Sequence, residues 1–333
     1  KRYQTIQDKL KAAGISTIDD EAVLRRLKDG GQDVFYRTDQ HWTQAAADAT
    51  AEALAQRIRQ DVKTLAGKPG TGMALGSVVN ERRYGDLAEL FLTPEQRKQA
   101  GRETFRHADR QRLFDLLKPF RNVLVLSGHS HTQQHVYHGK AEGWQGDKPL
   151  QEYNVGANCG AFWSGVKNAA GVPDSTMSDG TPKGYALLDV AGDGSYKLQY
   201  RVAGKSASEQ IGLHAPKVLR QGAYPAWGIY ANVYMGEDAS VVEYRVDGGA
   251  WQPMKQVSQP DPRLMVENVA DDLADSLRGY DRSPEATASP HLWRGALPTD
   301  LAVGSHKVEV RSTQPDGAVF TATTRYSLQT AQP

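Results

Sequence analysis

The chain of 333 residues is long enough for two or three domains, each with its own core. With 39% apolar and 24% charged residues and a formal net charge of +1, its composition is that of a soluble globular protein. The charge favours neither nucleic acid nor an anionic membrane surface. One cysteine, Cys159, excludes an internal disulfide and a cysteine-based zinc knuckle, and no apolar run approaches the roughly 18 residues of a membrane span.

The opening "KRYQTIQDKLKAAG" reads as an amphipathic helix closed by Gly14, not as a signal peptide. With no initiating Met, the expectation is a truncated chain, either cytoplasmic or with an export signal upstream. "ISTIDD" is predicted as a strand running into an acidic N-cap, and "EAVLRRLKDGG" as a helix stopped by Gly30-Gly31. "DVFYRTDQHW" follows as strand then turn. Thr43 caps a long helix whose apolar stripe is Ala47, Ala51, Leu54, Ile58, Val62 and Leu65. The Gly- and Pro-containing "AGKPGTGMALG" reads as a linker. "ADRQRLFDLLKPF" is a helix ending near Pro119, with Leu113, Phe114 and Leu117 on one face.

Val123 to Leu126 is predicted as a buried parallel strand, followed at once by Gly128-His129-Ser130-His131. Loops at the carboxyl ends of such strands are where open α/β sheets bind ligands. Five of the nine histidines lie between residues 107 and 138. If Gly128 takes a tight turn, His129 and His131 can face one cavity, and two neutral imidazoles make half of a metal site. His135 and His138 alternate as on an exposed strand and are expected to be solvated. His214, His291 and His306 are scattered without recognisable partners, and Trp227 and Trp293 are expected in the core.

After residue 184 the pattern turns to strands. "GYALLDV" and "SYKLQYRV" flank "AGDG" as a hairpin. "GIYANVYM", "SVVEYRV" and "WQPMKQV" come next, with Asp247-Gly248-Gly249 as a turn. "HKVEVRS" and "VFTATTRYSL" flank Gln314-Pro315-Asp316-Gly317. Short alternating strands with regular turns imply a small β-sandwich.

Three blocks appear in order: "ADRQRLFDLLKPFRNVLVLSGHSHTQ", "YNVGANCGAFWSG" and "GVPDSTMSDGTPKGYALLDV". Together they resemble the calcineurin-like metallophosphoesterases, in the branch with a C-terminal β-domain, over about residues 92 to 333. The resemblance implies that His129 and His131 ligate paired divalent metals (Mn, Fe or Zn). It makes Asn154, Trp163 and Asp179 candidate pocket residues, although the favoured reading of each is that it only holds loop geometry. That family also carries upstream ligands. Here only Asp39-Gln40-His41 and Gly85-Asp86 offer anything similar, and there is no Gly-Asn-His. Two histidines without bridging carboxylates hold a dinuclear centre poorly, so retention of the metals is left open.

"YRTDQHWT", with "GISTIDDEAVLRRLKDGGQDVF" before it and "AAADATAEALAQRI" after it, resembles the alginate O-acetyltransferase family. These SGNH-hydrolase-like enzymes acetylate exopolysaccharide, and the resemblance covers about residues 1 to 66, extending toward 90. It implies Asp39 orienting His41, which deprotonates a serine. Gly128-His129-Ser130 is the candidate Gly-x-Ser turn, so the same four residues read either as metal ligands or as the seat of a nucleophile, Ser130. Flanking sequence on both sides favours the metal reading.

The expectation is therefore a composite chain. Residues 1–66 form an acetyltransferase-like α/β segment and 67–91 a junction. Residues 92–203 are the latter part of a phosphoesterase domain, an α/β fold with a partial sheet, and 204–333 an all-β sandwich-like domain. The expected function is metal-dependent phosphoester hydrolysis with weak or absent activity. The alternatives are a serine-dependent O-acyltransferase or esterase using Asp39, His41 and Ser130, and a non-catalytic binding module. Expected substrates are a small phosphoester or a polysaccharide, with no nucleic acid and no membrane span. Both resemblances imply a periplasmic or exported protein.

Overall fold

The computed structural model describes residues 2–35, 42–61 and 107–331. Asp39, His41, Asp86 and the junction lie outside the described residues. The chain forms two compact units, residues 1–106 and 107–333. Among the described residues it is mostly sheet, with five α-helices.

In the first unit, α1 (Arg2–Ala12) ends before Gly14, whose φ of 73° closes it. Asp19 caps α2 (Asp20–Asp29) by accepting the Ala22 N–H at 3.0 Å, and Asp20 and Glu21 suit the positive end of the helix dipole. Residues 15 to 19 are not the strand expected. Thr17 Oγ1 instead donates to Gln7 Oε1, and Gln7 Nε2 donates to the Ile18 carbonyl at 3.2 Å, so one α1 side chain takes the carbonyl that a sheet partner would use. Thr43 Oγ1 accepts from the Ala46 N–H and caps α3 (Gln44–Asp61), which packs on α2 through buried Ala46. Leu54 and Ile58 of the expected stripe stay about half exposed, at 48% and 44%.

The second unit opens with α4 (His107–Leu117) and β1 (Leu124–Ser127). β2 (Gln134–His138) and β3 (Leu150–Asn154) complete a sheet of order β1-β3-β2, in which β1 runs parallel and β2 antiparallel to β3. Phe114, Trp144 and Leu150 form the core under it, the two rings edge to face at 5.6 Å. β4 (Gly184–Val190) and β5 (Tyr196–Val202) form the hairpin expected around "AGDG", with Gly194 at positive φ. Tyr153, Tyr200, Val202, Tyr234 and Met235 pack between these pieces.

The strands that follow are β6 (Ile211–His214), β7 (Val218–Arg220), β8 (Gly228–Val233), β9 (Val241–Val246), β10 (Gln252–Pro253), β11 (Lys255–Gln256) and β12 (Gln259–Pro260). Helix α5 (Pro262–Asp272) precedes β13 (Ala288–Ser289), β14 (Leu292–Ala296), β15 (Gly304–Thr313) and β16 (Val319–Gln329). They make a five-stranded sheet, β10-β9-β15-β16-β7, and a four-stranded sheet, β11-β14-β8-β6. One core takes residues from both: Ile229, Ala231, Val233 and Trp293 from the second, Val242, Val308, Val310, Tyr326 and Leu328 from the first. Alternation along β15 puts His306, Val308, Val310 and Ser312 inward, as a period of two demands. "WQPMKQV" is two strands rather than one. The chain crosses at buried Met254 from the first sheet to the second, and Pro253, which has no N–H, sits where the ladder breaks.

Candidate functional site: the histidine loop

The loop starts where β1 ends, and its backbone is unusual at the histidines. Gly128 was expected to make the turn, yet it has no positive φ and a Cβ there would meet nothing within 4 Å. The left-handed residues are His129 (φ 86°) and His131 (φ 50°). Histidine is among the few non-glycine residues enriched in that region, and strain of this kind is held only by surroundings that over-determine it. Phe162 (φ 54°), Trp163 (φ 60°) and Ser175 (φ 51°) share the conformation.

Three sets of contacts hold the loop. Asn154, at the end of β3, donates from Nδ2 to Ser130 Oγ at 2.7 Å, to the Thr132 carbonyl at 2.9 Å and to Thr132 Oγ1 at 3.3 Å. His131 stacks on Phe162 with ring centres 4.3 Å apart, and its Nδ1 lies 2.6 Å from the Gly160 carbonyl. A carbonyl can only accept, so Nδ1 carries a proton, and in the neutral ring the lone pair is then on Nε2. Below the loop, the Asp179 carboxylate accepts the Gln133 N–H at 2.7 Å and the Thr181 N–H at 2.8 Å.

Asp179 is fully buried and belongs to a polar network that the sequence did not reveal. His291 Nε2 lies 3.3 Å from its Oδ2, and His291 Nδ1 lies 2.7 Å from Asn232 Oδ1. Asn232 Nδ2 donates to the Asp179 carbonyl and to Asp261 Oδ2, and Arg263 pairs with Asp261 at 2.6 Å. Burial alone would raise the Asp179 carboxyl. The bond and charge of His291, with the two backbone N–H groups, outweigh it and hold the carboxyl below the usual carboxylate range.

Asn154 and Asp179 thus both contact the loop that carries His129, Ser130 and His131. Trp163 is 54% exposed beside Phe162, with the Lys183 ammonium 5.6 Å above its ring. Ser130 Oγ is engaged by Asn154 and by Thr132 Oγ1 at 2.8 Å. No histidine contacts it among the described residues. Nor does any group of three or more His, Cys, Asp or Glu donors come together among the described residues. Among the described residues the two imidazoles are not joined by a carboxylate in such a group, and as a pair they do not fit a dinuclear metal centre.

The remaining histidines differ from expectation. His135 is largely buried, stacked on Tyr153 at 4.8 Å, its direct partner on β3, although Tyr137 on the same face of β2 stays half exposed. His138 pairs with Glu152 at 2.7 Å, and His306 with Asp247 at 2.6 Å. Trp293 is in the core, while Trp227 is 59% exposed. Residues that sequence reasoning missed are Gly160, Phe162, Asn232 and His291. Only the Gly-Ala-Phe-Trp run pointed toward the first two.

Two families match the chain: "C terminal of Calcineurin-like phosphoesterase" over residues 152–320, and "SGNH hydrolase-like domain, acetyltransferase AlgX" over residues 1–141. The histidine loop lies inside the second match and ahead of the first. No curated protein matches. Among solved structures, the superoxide reductase (neelaredoxin) from Ignicoccus hospitalis is similar at 13% identity, over 38% of this chain and 89% of that one, with a TM-score of 0.19. A variant of the same reductase is similar at 12% identity over 36% and 80%, also with a TM-score of 0.19. At that score the likeness carries no argument.

Proposed function

The chain belongs to the family of the C-terminal part of calcineurin-like phosphoesterases, and from that premise we propose that its second unit is the imidazole half of a phosphoester-hydrolase site. In this reading residues 92–203 are the latter part of the catalytic domain and 204–333 a sandwich-like accessory domain. The observation that carries it is the state of His131. A ligating imidazole ordinarily gives its other N–H to a carbonyl or carboxylate, and His131 gives Nδ1–H to Gly160 while Phe162 fixes its plane. His129 stands two residues away on the same strained turn, and Asn154 and Asp179 hold that turn from two sides. Exposed Trp163 and Phe162 would flank a small phosphoester, and no nucleic acid is expected as a partner. Carboxylates must come from outside the described residues, so we read the activity as weak or absent and any Mn, Fe or Zn as loosely held.

The test is metal content per purified full-length chain, with phosphomonoester and phosphodiester turnover measured before and after chelation. Less than one retained metal, and added Mn2+ that broadens the His129 and His131 resonances, supports the half-site. Two retained metals with chelator-sensitive turnover, or no response of either histidine to Mn2+, overturns it.

A second reading is favoured by one observation: Asp39, His41 and Ser130 all fall within the single match to the SGNH family. It makes Ser130 the nucleophile of an O-acyltransferase or esterase acting on a polysaccharide. It requires a serine-reactive phosphonate to label the chain, with labelling lost in Ser130→Ala and kept after chelation. The same match supports an exported, periplasmic location. Among the described residues no helix is long and apolar enough to cross a membrane.

A further inference from the structure

His291 stands just ahead of β14 and is 1% exposed, with both ring nitrogens engaged. Nε2 lies 3.3 Å from Asp179 Oδ2, and Nδ1 lies 2.7 Å from Asn232 Oδ1. The Asn232 amide can point only one way. Its nitrogen donates to the Asp179 carbonyl at 2.8 Å and to Asp261 Oδ2 at 2.7 Å, and both of those groups accept. The amide atom that meets Nδ1 is therefore the oxygen. On the other side of the ring, Asp179 accepts the Gln133 N–H at Oδ2 and the Thr181 N–H at Oδ1, as an ionised carboxylate does. Each nitrogen of His291 thus faces an acceptor. A neutral imidazole has one N–H and would set its lone pair against one of them. Only the imidazolium donates to both.

The charges around the ring agree with this. Asp179 lies in the turn ahead of β4, Asp261 caps α5, and Arg263 on α5 pairs with Asp261 at 2.6 Å. Burial, with the charge of His291, pushes the His135 imidazole on β2 down to about 4, so His135 stays neutral. Thr181 Oγ1 and Ser289 Oγ, each 3.4 Å from a ring nitrogen, carry no charge. An imidazolium at His291 makes two cations against two carboxylates, joined through the Asn232 amide. A neutral ring would leave one buried carboxylate in excess, which protein interiors avoid.

The proton has one preferred place to leave from. The Nδ1 bond is the shorter, so Nε2 gives up its proton and turns a lone pair on Asp179 Oδ2. That same oxygen holds the Gln133 N–H at the end of the histidine loop. We propose that His291 is a buried imidazolium that clasps the histidine loop to β8 and α5, and that losing its Nε2 proton as pH rises slackens the loop at Gln133. That this regulates a functional site rests on the reading of the loop given above; the protonation state does not.

The test uses the full-length chain without added metal. The nitrogen resonances of the His291 ring are followed from about pH 5 upward until the chain unfolds. The expected result is two protonated nitrogens at the acid end, then loss of the proton at Nε2 with Nδ1 still protonated. The Gln133 and Thr181 amides shift with the same midpoint. Corrected for the intrinsic rate at each pH, exchange of the Gln133 amide becomes about tenfold faster, the order that one charge-assisted hydrogen bond represents. His129 and His131 lie on the same loop, so a chain carrying His129→Gln and His131→Gln is followed alongside. Both amide transitions should persist in that chain and vanish in His291→Gln. The proposal is overturned if only one His291 nitrogen is protonated at the acid end, or if the ring keeps both protons until unfolding. It is overturned equally if the amide transitions disappear with the loop histidines. The parent chain alone decides the first two outcomes, so a variant that fails to fold leaves the test standing. Mn2+ added on either side of the transition reads the half-site separately. A His291 transition with no Mn2+ effect would reject the half-site and keep the clasp.

Discussion

Asp179 accepts the backbone N–H of Gln133 at 2.7 Å across 46 residues of sequence. That bond fastens the far end of the histidine loop to a carboxylate with no access to solvent. A buried acceptor fixes the loop more firmly than a surface turn could, because water offers the Gln133 N–H no alternative.

Replacing Asp179 by Ala leaves His291 without its carboxylate and two backbone N–H groups unpaired. Breaking a buried pair by removing one partner costs about 3–5 kcal/mol. We expect a loss of that order in urea unfolding, together with shifted His131 and Gln133 amide resonances. Unchanged resonances would mean that the loop is held by Asn154 and Phe162 alone. The folded carboxyl sits below its ordinary value. Its stabilisation is therefore present above the unfolded value and is lost as pH falls through the lower folded one, so the Ala variant should unfold with a shallower acid dependence.

Gly160 has φ 57°, and a Cβ on it would lie 1.8 Å from the Ser175 carbonyl oxygen. The two nearest atoms are Ser175 backbone, which can yield only if the chain itself moves. Gly160→Ala should destabilise by more than about 1 kcal/mol, the usual strain where alanine cannot adopt the native conformation. It should also free the His131 ring, because the Gly160 carbonyl that fixes its tautomer must move. Nitrogen chemical shifts of His131 that report a tautomer mixture in the variant would verify the link. A ring still protonated at Nδ1 alone would break it.

His306 shows the opposite pH sign. The hydrogen bond to Asp247 outweighs burial and, with the Ala302 carbonyl, raises the imidazole above its ordinary value. A raised value means stabilisation that is fully present below the unfolded histidine value, near 6.5, and is lost as pH rises through the folded one. Asp247 is about half exposed, so solvent screening keeps the effect small. Melting temperature should fall between slightly acid and slightly alkaline pH, and His306→Gln should remove that slope. An equal slope in both proteins would assign it to other groups.

Local signals in the sequence were legible where one residue decides one turn. Asp19 and Gly30 bound α2, "AGDG" joins β4 to β5, and consecutive positive φ at Asp247 and Gly248 turns the chain between β9 and β10. What was not legible depends on which face of an element is covered. "QQHVYHG" alternates equally well as an exposed or a buried strand, and only the packing of Tyr153 on one side decides that His135 is inside. His291 lies 112 residues from Asp179, a pairing no periodicity encodes. The Gly128 reading failed for another reason. Glycine permits a left-handed turn without requiring one, and here the histidines take it.

The shared core of the two large sheets predicts how the C-terminal region unfolds. Ile229 of β8 and Leu328 of β16 are both fully buried in one cluster, though they belong to different sheets. Truncating either to Ala removes contacts within that cluster and should cost about 2–5 kcal/mol. If the sheets form one cooperative body, Ile229→Ala speeds amide exchange in β16 as much as in β8, and Leu328→Ala does the same in reverse. Protection lost only in the mutated sheet would mean that the two open independently. Met254, buried in the same cluster between β10 and β11, would then mark only where the chain changes sheets, and not a joint through which one sheet stabilises the other.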